Sequence, residues 1–136
     1  MRFGLAWVAF ALSLGVHVAD EAARDFLSVY NPSARMIRQA LPFLPVPVFR
    51  FDVWLGGLIA AILLLLALAP LAFRGNRALR RIALPLGLVV GVFNAFCHIG
   101  GSLYLGRLMP GTLSAPLILA AGLWLIFEAR RAATQS

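Results

Sequence analysis

The sequence predicts an all-α, polytopic membrane protein: a bundle of four transmembrane helices, with a short interfacial helix between the first and second spans. Three observations carry this prediction. Of 136 residues, 62% are hydrophobic and only 12% are charged, against roughly 25% charged in soluble domains. Mean hydropathy is +0.91, and a soluble domain this small cannot hide so much apolar surface. The apolar residues also fall into four runs, 3–19, 53–73, 82–105 and 113–127, with arginines at their ends. These spans make one membrane domain over 1–136, with no internal repeat.

A spanning helix needs ~20 mainly apolar residues. Run 3–19 is short, so it must borrow flanking residues or thin the bilayer locally. Read as a signal peptide, it would be cut after Ala19, Ala22 or Ala23. Those cuts put His17, Asp20 or Glu21 at position −3, where a small residue is wanted, so a retained helix is expected.

The segment 21–51 follows. Asn31-Pro32 reads as a helix cap with proline in the first turn. A helix over 33–41 then places Met36, Ile37, Ala40 and Leu41 on one face and Arg35 and Arg38 on the other, as in a helix lying in the interface. Pro42 stops it. The proline-rich stretch 41–49 is expected as an extended strip over the bundle mouth.

Run 53–73 is the cleanest span. The linker 74–81 holds four arginines and no acid, and Arg2, Arg130 and Arg131 flank the first and last runs. With four spans these segments share one side, which the positive-inside rule makes cytoplasmic. The expected location is the inner (plasma) membrane, multi-pass, with both termini cytoplasmic. Run 82–105 leads to a loop carrying only Arg107, as an outer loop should. Pro110-Gly111 turns the chain into the last run.

The net charge of +7 comes entirely from arginine. Because the arginines sit at the ends of apolar runs, the expected partner is the lipid bilayer, with no nucleic acid. Cys97 is the sole cysteine, so no internal disulfide forms; beside its polar neighbours it reads as a small buried hydrophobe rather than a nucleophile. Trp7, Trp54, Tyr104 and Trp124 lie near run ends, where interface anchors are expected.

Two polar knots interrupt the greasy helices: His17-Val18-Ala19-Asp20-Glu21 and Asn94-Ala95-Phe96-Cys97-His98. Ionisable groups at membrane depth are costly and mark functional sites by default. Helical spacing puts Ser13, His17, Asp20 and Glu21 in one stripe; Ser13 there reads as a packing residue. Gly87, Gly91, Asn94, His98, Gly101 and Ser102 form another, whose small residues permit close packing. The first and third helices are therefore expected to be neighbours with their stripes facing. His17 lies 15 residues after Arg2 and His98 17 after Arg81. Both climb about 23–26 Å from the cytoplasmic side at 1.5 Å per residue, to similar depth in the outer half of the membrane.

The candidate site is therefore His17, Asp20, Glu21, Asn94 and His98. Three readings are open. His17, His98 and one or both carboxylates can hold a divalent metal, zinc or iron, with Asn94 as an orienting donor. Without a metal, a histidine beside a carboxylate is a general acid–base pair. Or the groups pair with one another to fix helix packing. Asp20 and Glu21 taken alone read as helix-end carboxylates meeting water. The functions these readings allow are an intramembrane enzyme, metal-assisted or acid–base, acting on a lipid-like or amphipathic small molecule; a small transporter or ligand-binding bundle using the same residues as a proton or ion site; and a structural membrane partner.

The H-V-A-D-E run followed by N-A-F-C-H resembles the HXXEE family of small prokaryotic membrane proteins, which carries HxxEE, NAxxH and Y-x-P-G motifs. His17 and Glu21 match the first motif, with Asp20 in place of the first glutamate. Asn94, Ala95 and His98 match the second. Pro110-Gly111 matches the end of the third, but Leu108 stands where the tyrosine belongs, and Tyr104, one turn earlier, is its candidate substitute. The resemblance spans His17 to Gly111. It implies one shared polar site and an enzymatic role, with no substrate attached.

Overall fold

The computed structural model describes residues 1–131, and among them every regular element is helical. The elements are α1 (Arg2–Ala23), α2 (Phe26–Ala40), α3 (Phe51–Ala67), α4 (Ala69–Phe73), α5 (Arg77–Leu86), a π-helical segment (Gly87–Phe93), α6 (Asn94–Leu105) and α7 (Ala115–Arg131). The helices α1 and Arg77–Leu105 are long and apolar enough to cross a membrane; α3 is apolar but has 17 residues.

The core lies along α1. Phe3, Ala6, Trp7, Phe10, Leu14 and Val18 recur at helical spacing and are all buried, against Ile118 and Leu125 of α7. Helix α7 packs against α1 on one side and against α5 and the π segment on the other, while α3 and α4 cover a further side of α1. Outward faces stay apolar: Leu63, Leu64, Val89, Phe93 and Phe127 are all more than half exposed.

The run 53–73 is not one helix. Pro70 has no N–H to continue the ladder, and the chain breaks at Leu68 into α3 and α4. The expected anchor Trp7 is buried here instead, its indole donating to the Leu65 carbonyl at 2.7 Å. Trp54 is buried as well, packed beside Phe26 and Phe51. Tyr104 and Trp124 remain exposed. Asn76 caps α5 by accepting from the Ala78 and Leu79 amides. Two residues after Pro85 the helix widens into the π segment and then continues as α6.

Three further expectations are corrected. Gly87 and Gly91 pack most closely on α7 rather than on α1, although Gly91 also lies against the Phe10 ring of α1. A Cβ on Gly91 would lie 2.8 Å from the Gly122 Cα, so Gly87 and Gly91 seat the π segment on Gly122 of α7. Helix α2 begins at Phe26, after Asp25 in a left-handed conformation, and runs through Asn31-Pro32 rather than starting there. Asn31 does not cap it: its side chain donates to the Phe49 carbonyl (2.9 Å) and accepts from the Phe49 amide (3.0 Å), pinning the irregular strip before α3. Tyr30 adds a bond to the Pro47 carbonyl. Cys97 is exposed, not buried.

Candidate functional site

The i, i+4 spacing of His17 and Glu21 puts both on one face of α1, and α6 brings His98 to that face from across the bundle. Glu21 Oε1 lies 3.5 Å from His17 Nε2 and 3.0 Å from His98 Nε2. The two rings meet edge to face, with centroids 4.8 Å apart. His17 and His98 are each 1% exposed and Glu21 5%. Asn94, one turn before His98, donates from Nδ2 to His17 Nε2 at 2.9 Å. Four of the five candidate residues thus meet in one cluster, three of them buried and Asn94 half-buried.

Asp20 does not join them. One residue before Glu21 on the helix, it is rotated about 100° away. Its Oδ1 accepts from Arg24 Nε at 2.9 Å, and its Oδ2 accepts from the Ser114 hydroxyl (2.8 Å) and amide (3.2 Å). Asp20 is therefore placed behind the cluster, not as a direct ligand beside Glu21.

Two residues of the surroundings were not among the candidates. Ser114 Oγ lies 2.8 Å from His17 Nδ1 and thereby links His17 to Asp20. Gly111 packs on the far side: a Cβ there would sit 2.6 Å from His98 Cε1 and 3.0 Å from Glu21 Cγ, and its φ of +87° suits glycine alone. The Pro110-Gly111 dipeptide signalled a turn but not this contact, and Ser114, 97 residues from His17, carried no local signal at all. The turn is tied to α6 by Thr112 and Ser102, whose hydroxyls both donate to the His98 carbonyl. The Phe26 ring closes the remaining side at 5.4 Å from the His98 ring.

A family model described as "Protein of unknown function with HXXEE motif" matches residues 5–125. The chain belongs to the HXXEE family. No curated protein and no solved structure matches it significantly. In this HXXEE protein the first and last positions of the family motif, His17 and Glu21, are in the cluster, while the position held by Asp20 backs it. Tyr104, the candidate substitute for a tyrosine before Pro110-Gly111, is 90% exposed and does not reach the site.

The chemistry of the cluster follows from charge. A buried carboxylate is expensive unless compensated. Among the described residues no arginine pairs with Glu21; its partners are the two histidines. Charge balance there comes from a proton or from a cation. One nitrogen of each ring and one Glu21 oxygen lie within 4.8 Å of one another, a group that can hold a metal ion. Two imidazoles and one carboxylate are the donor set of catalytic zinc and non-haem iron sites.

Proposed function

We propose that this HXXEE protein is a four-span inner-membrane enzyme. Its His17–Glu21–His98 cluster holds a divalent metal, zinc or iron, and acts on a lipid-like or amphipathic molecule toward the outer leaflet. The observation that carries the reading is the convergence of His17 Nε2, Glu21 Oε1 and His98 Nε2 in a buried, arginine-free setting. His17, Glu21 and His98 would hold the metal, which would supply Lewis acidity or activate a water near neutral pH.

The chain's own residues do the rest. His17 and His98 supply neutral nitrogen donors, and Glu21 supplies the one negative charge. The Asn94 amide donates to the one lone pair on His17 Nε2; a metal taking that lone pair would leave the amide to donate to an oxygen bound beside it. Phe26 and Gly111 cover the His98 ring on two sides and exclude water. An amphipathic substrate is favoured because the aromatic surface beyond Phe26 continues through Tyr30, Phe49, Phe51 and Trp54.

Support for four spans comes from the apolar outward faces of α3, the π segment and α7. Helices of 17 residues, α3 and α7, rise about 26 Å, close to the ~30 Å hydrocarbon core. By the positive-inside rule the flanking arginines favour both termini in the cytoplasm.

The deciding measurement is metal content of detergent-purified protein from cells supplied with zinc and iron. About one ion per chain is expected in the wild type and a small fraction of that in His98→Ala. Wild-type protein without metal, or equal content in both, overturns the metal reading. The direct 3.0 Å contact of His98 Nε2 with Glu21 Oε1 would then stand as a metal-free acid–base pair.

A further inference from the structure

We infer that Ser114 is a positioning residue that fixes His17 in one tautomer, with the proton on Nδ1 and the Nε2 lone pair turned toward Glu21 and His98. The inference deepens the proposed metal site and rests on it for its functional consequence, but the tautomer itself follows from counting protons.

Ser114 Oγ has three close partners: His17 Nδ1 at 2.8 Å, Asp20 Oδ2 at 2.8 Å and the Gly111 carbonyl at 3.1 Å. A hydroxyl has one proton to give and two lone pairs to receive with. Asp20 accepts from Arg24 Nε at 2.9 Å, and a carboxylate in such a pair is acceptor-only. The Gly111 carbonyl is also acceptor-only. If the serine gave its proton to His17, its oxygen would face both of these acceptors with no proton between them. The serine proton therefore goes to Asp20, where the bond is charge-assisted and shorter than that to the Gly111 carbonyl, and His17 Nδ1–H must donate to Ser114. The opposite edge of the ring agrees: the Asn94 amide donates to Nε2, which needs a lone pair there.

Nothing comparable backs the second histidine. His98 Nδ1 is buried and has no hydrogen-bond partner among the described residues; it lies against Gly111. The chain Arg24–Asp20–Ser114–His17 thus orients one ligand of the pair from behind. Partners of this kind fix ring orientation and tautomer in metal sites, and losing one typically costs 10–100-fold in affinity.

The test uses the full-length protein in detergent, with ¹⁵N-labelled histidine and all metal removed. The chain has two histidines, so a His98→Gln background isolates the His17 ring signals. With Ser114 present, nitrogen shifts should report a protonated Nδ1 and an unprotonated Nε2. Ser114→Ala should raise the Nε2–H population, and Ser114→Thr, which keeps the hydroxyl, should restore the original one. Asp20→Ala should move the population as Ser114→Ala does, by freeing the serine proton for His17, without altering Ser114. In the His98-containing protein, zinc affinity should fall about 10–100-fold with Ser114→Ala and change little with Ser114→Thr. An Nε2–H tautomer with Ser114 present, or a population unmoved by Ser114→Ala, overturns the inference. Wild-type protein that takes up no zinc overturns the metal reading instead, and the metal-free nitrogen shifts still decide the role of Ser114.

Discussion

Gly111 and His98 are in direct backbone-to-ring contact, and the contact leaves no room for a side chain. A Cβ on Gly111 would lie 2.8 Å from His98 Nδ1 and 2.6 Å from Cε1. The residue also holds φ at +87°, a region that costs an L-residue roughly 1–2 kcal/mol. The loop carrying Gly111 is thus a wall of the site, not a mere connection between α6 and α7.

Gly111→Ala should accordingly displace His98 and lower stability by about 2–5 kcal/mol, the sum of backbone strain and overpacking. Thermal unfolding in detergent measures the loss. Gly106→Ala is the control: Gly106 also has positive φ, +64°, but open space around its Cβ position. It should cost only the backbone part. Equal losses for the two would show that the contact with His98 is slack.

Glu21→Gln tests the charge argument. The amide keeps the size of the side chain but removes the single anion between two imidazoles. Metal retention should fall at least tenfold, as for other losses of a ligand or its partner. Asp20→Asn should retain clearly more metal, because Asp20 lies outside the cluster and the asparagine keeps an amide oxygen that can accept from Ser114. The comparison is made by metal analysis after dialysis, and loss from Asp20→Asn equal to that from Glu21→Gln would contradict the placement of Asp20.

The sequence disclosed the meeting of His17 with His98 because both lie at matching helical depth, and depth is additive along a helix at 1.5 Å per residue. It also disclosed the helices, since apolar periodicity is local. What it did not disclose is pairwise and distant. The Gly87 and Gly91 stripe signals close approach but not its partner, and Gly122 of α7 lies too far along the chain to be read as the complement. Trp7 looked like an interface anchor by its position near a run end; the acceptor that buries it, the Leu65 carbonyl, is 58 residues away. Asn31-Pro32 has the local chemistry of a helix start, but the tertiary bonds from Asn31 to Phe49 and the earlier start at Phe26 override it.

The close seat of the π segment on α7 yields a stability prediction. A Cβ on Gly122 would lie 2.9 Å from the Gly91 Cα and 3.0 Å from the Gly87 carbonyl oxygen, both backbone atoms that cannot rotate away. Gly122→Ala should lower stability by about 1–3 kcal/mol. Gly57→Ala, in α3 with nothing within 4 Å of its Cβ position, should be neutral or stabilising by about 0.5–1 kcal/mol. Unfolding of both variants in the same detergent checks the contrast.

The four-span topology makes a separate claim about sides. Arg74 follows α4, in the arginine-rich linker before α5, and Arg107 lies just beyond α6. If Arg77–Leu105 crosses the bilayer, these two residues lie on opposite faces, with the arginine-rich linker in the cytoplasm. In a Cys97→Ala background, Arg107→Cys should react with a membrane-impermeant maleimide on intact spheroplasts, and Arg74→Cys only after lysis. Labelling of both from one side would mean that this helix does not span. Labelling with the sides reversed would put the His17–Glu21–His98 cluster toward the inner leaflet, because Ala23 at the end of α1 and the Gly111 turn both lie at the Arg107 end of the bundle. The labelling pattern therefore decides which leaflet can deliver an amphipathic substrate to the site.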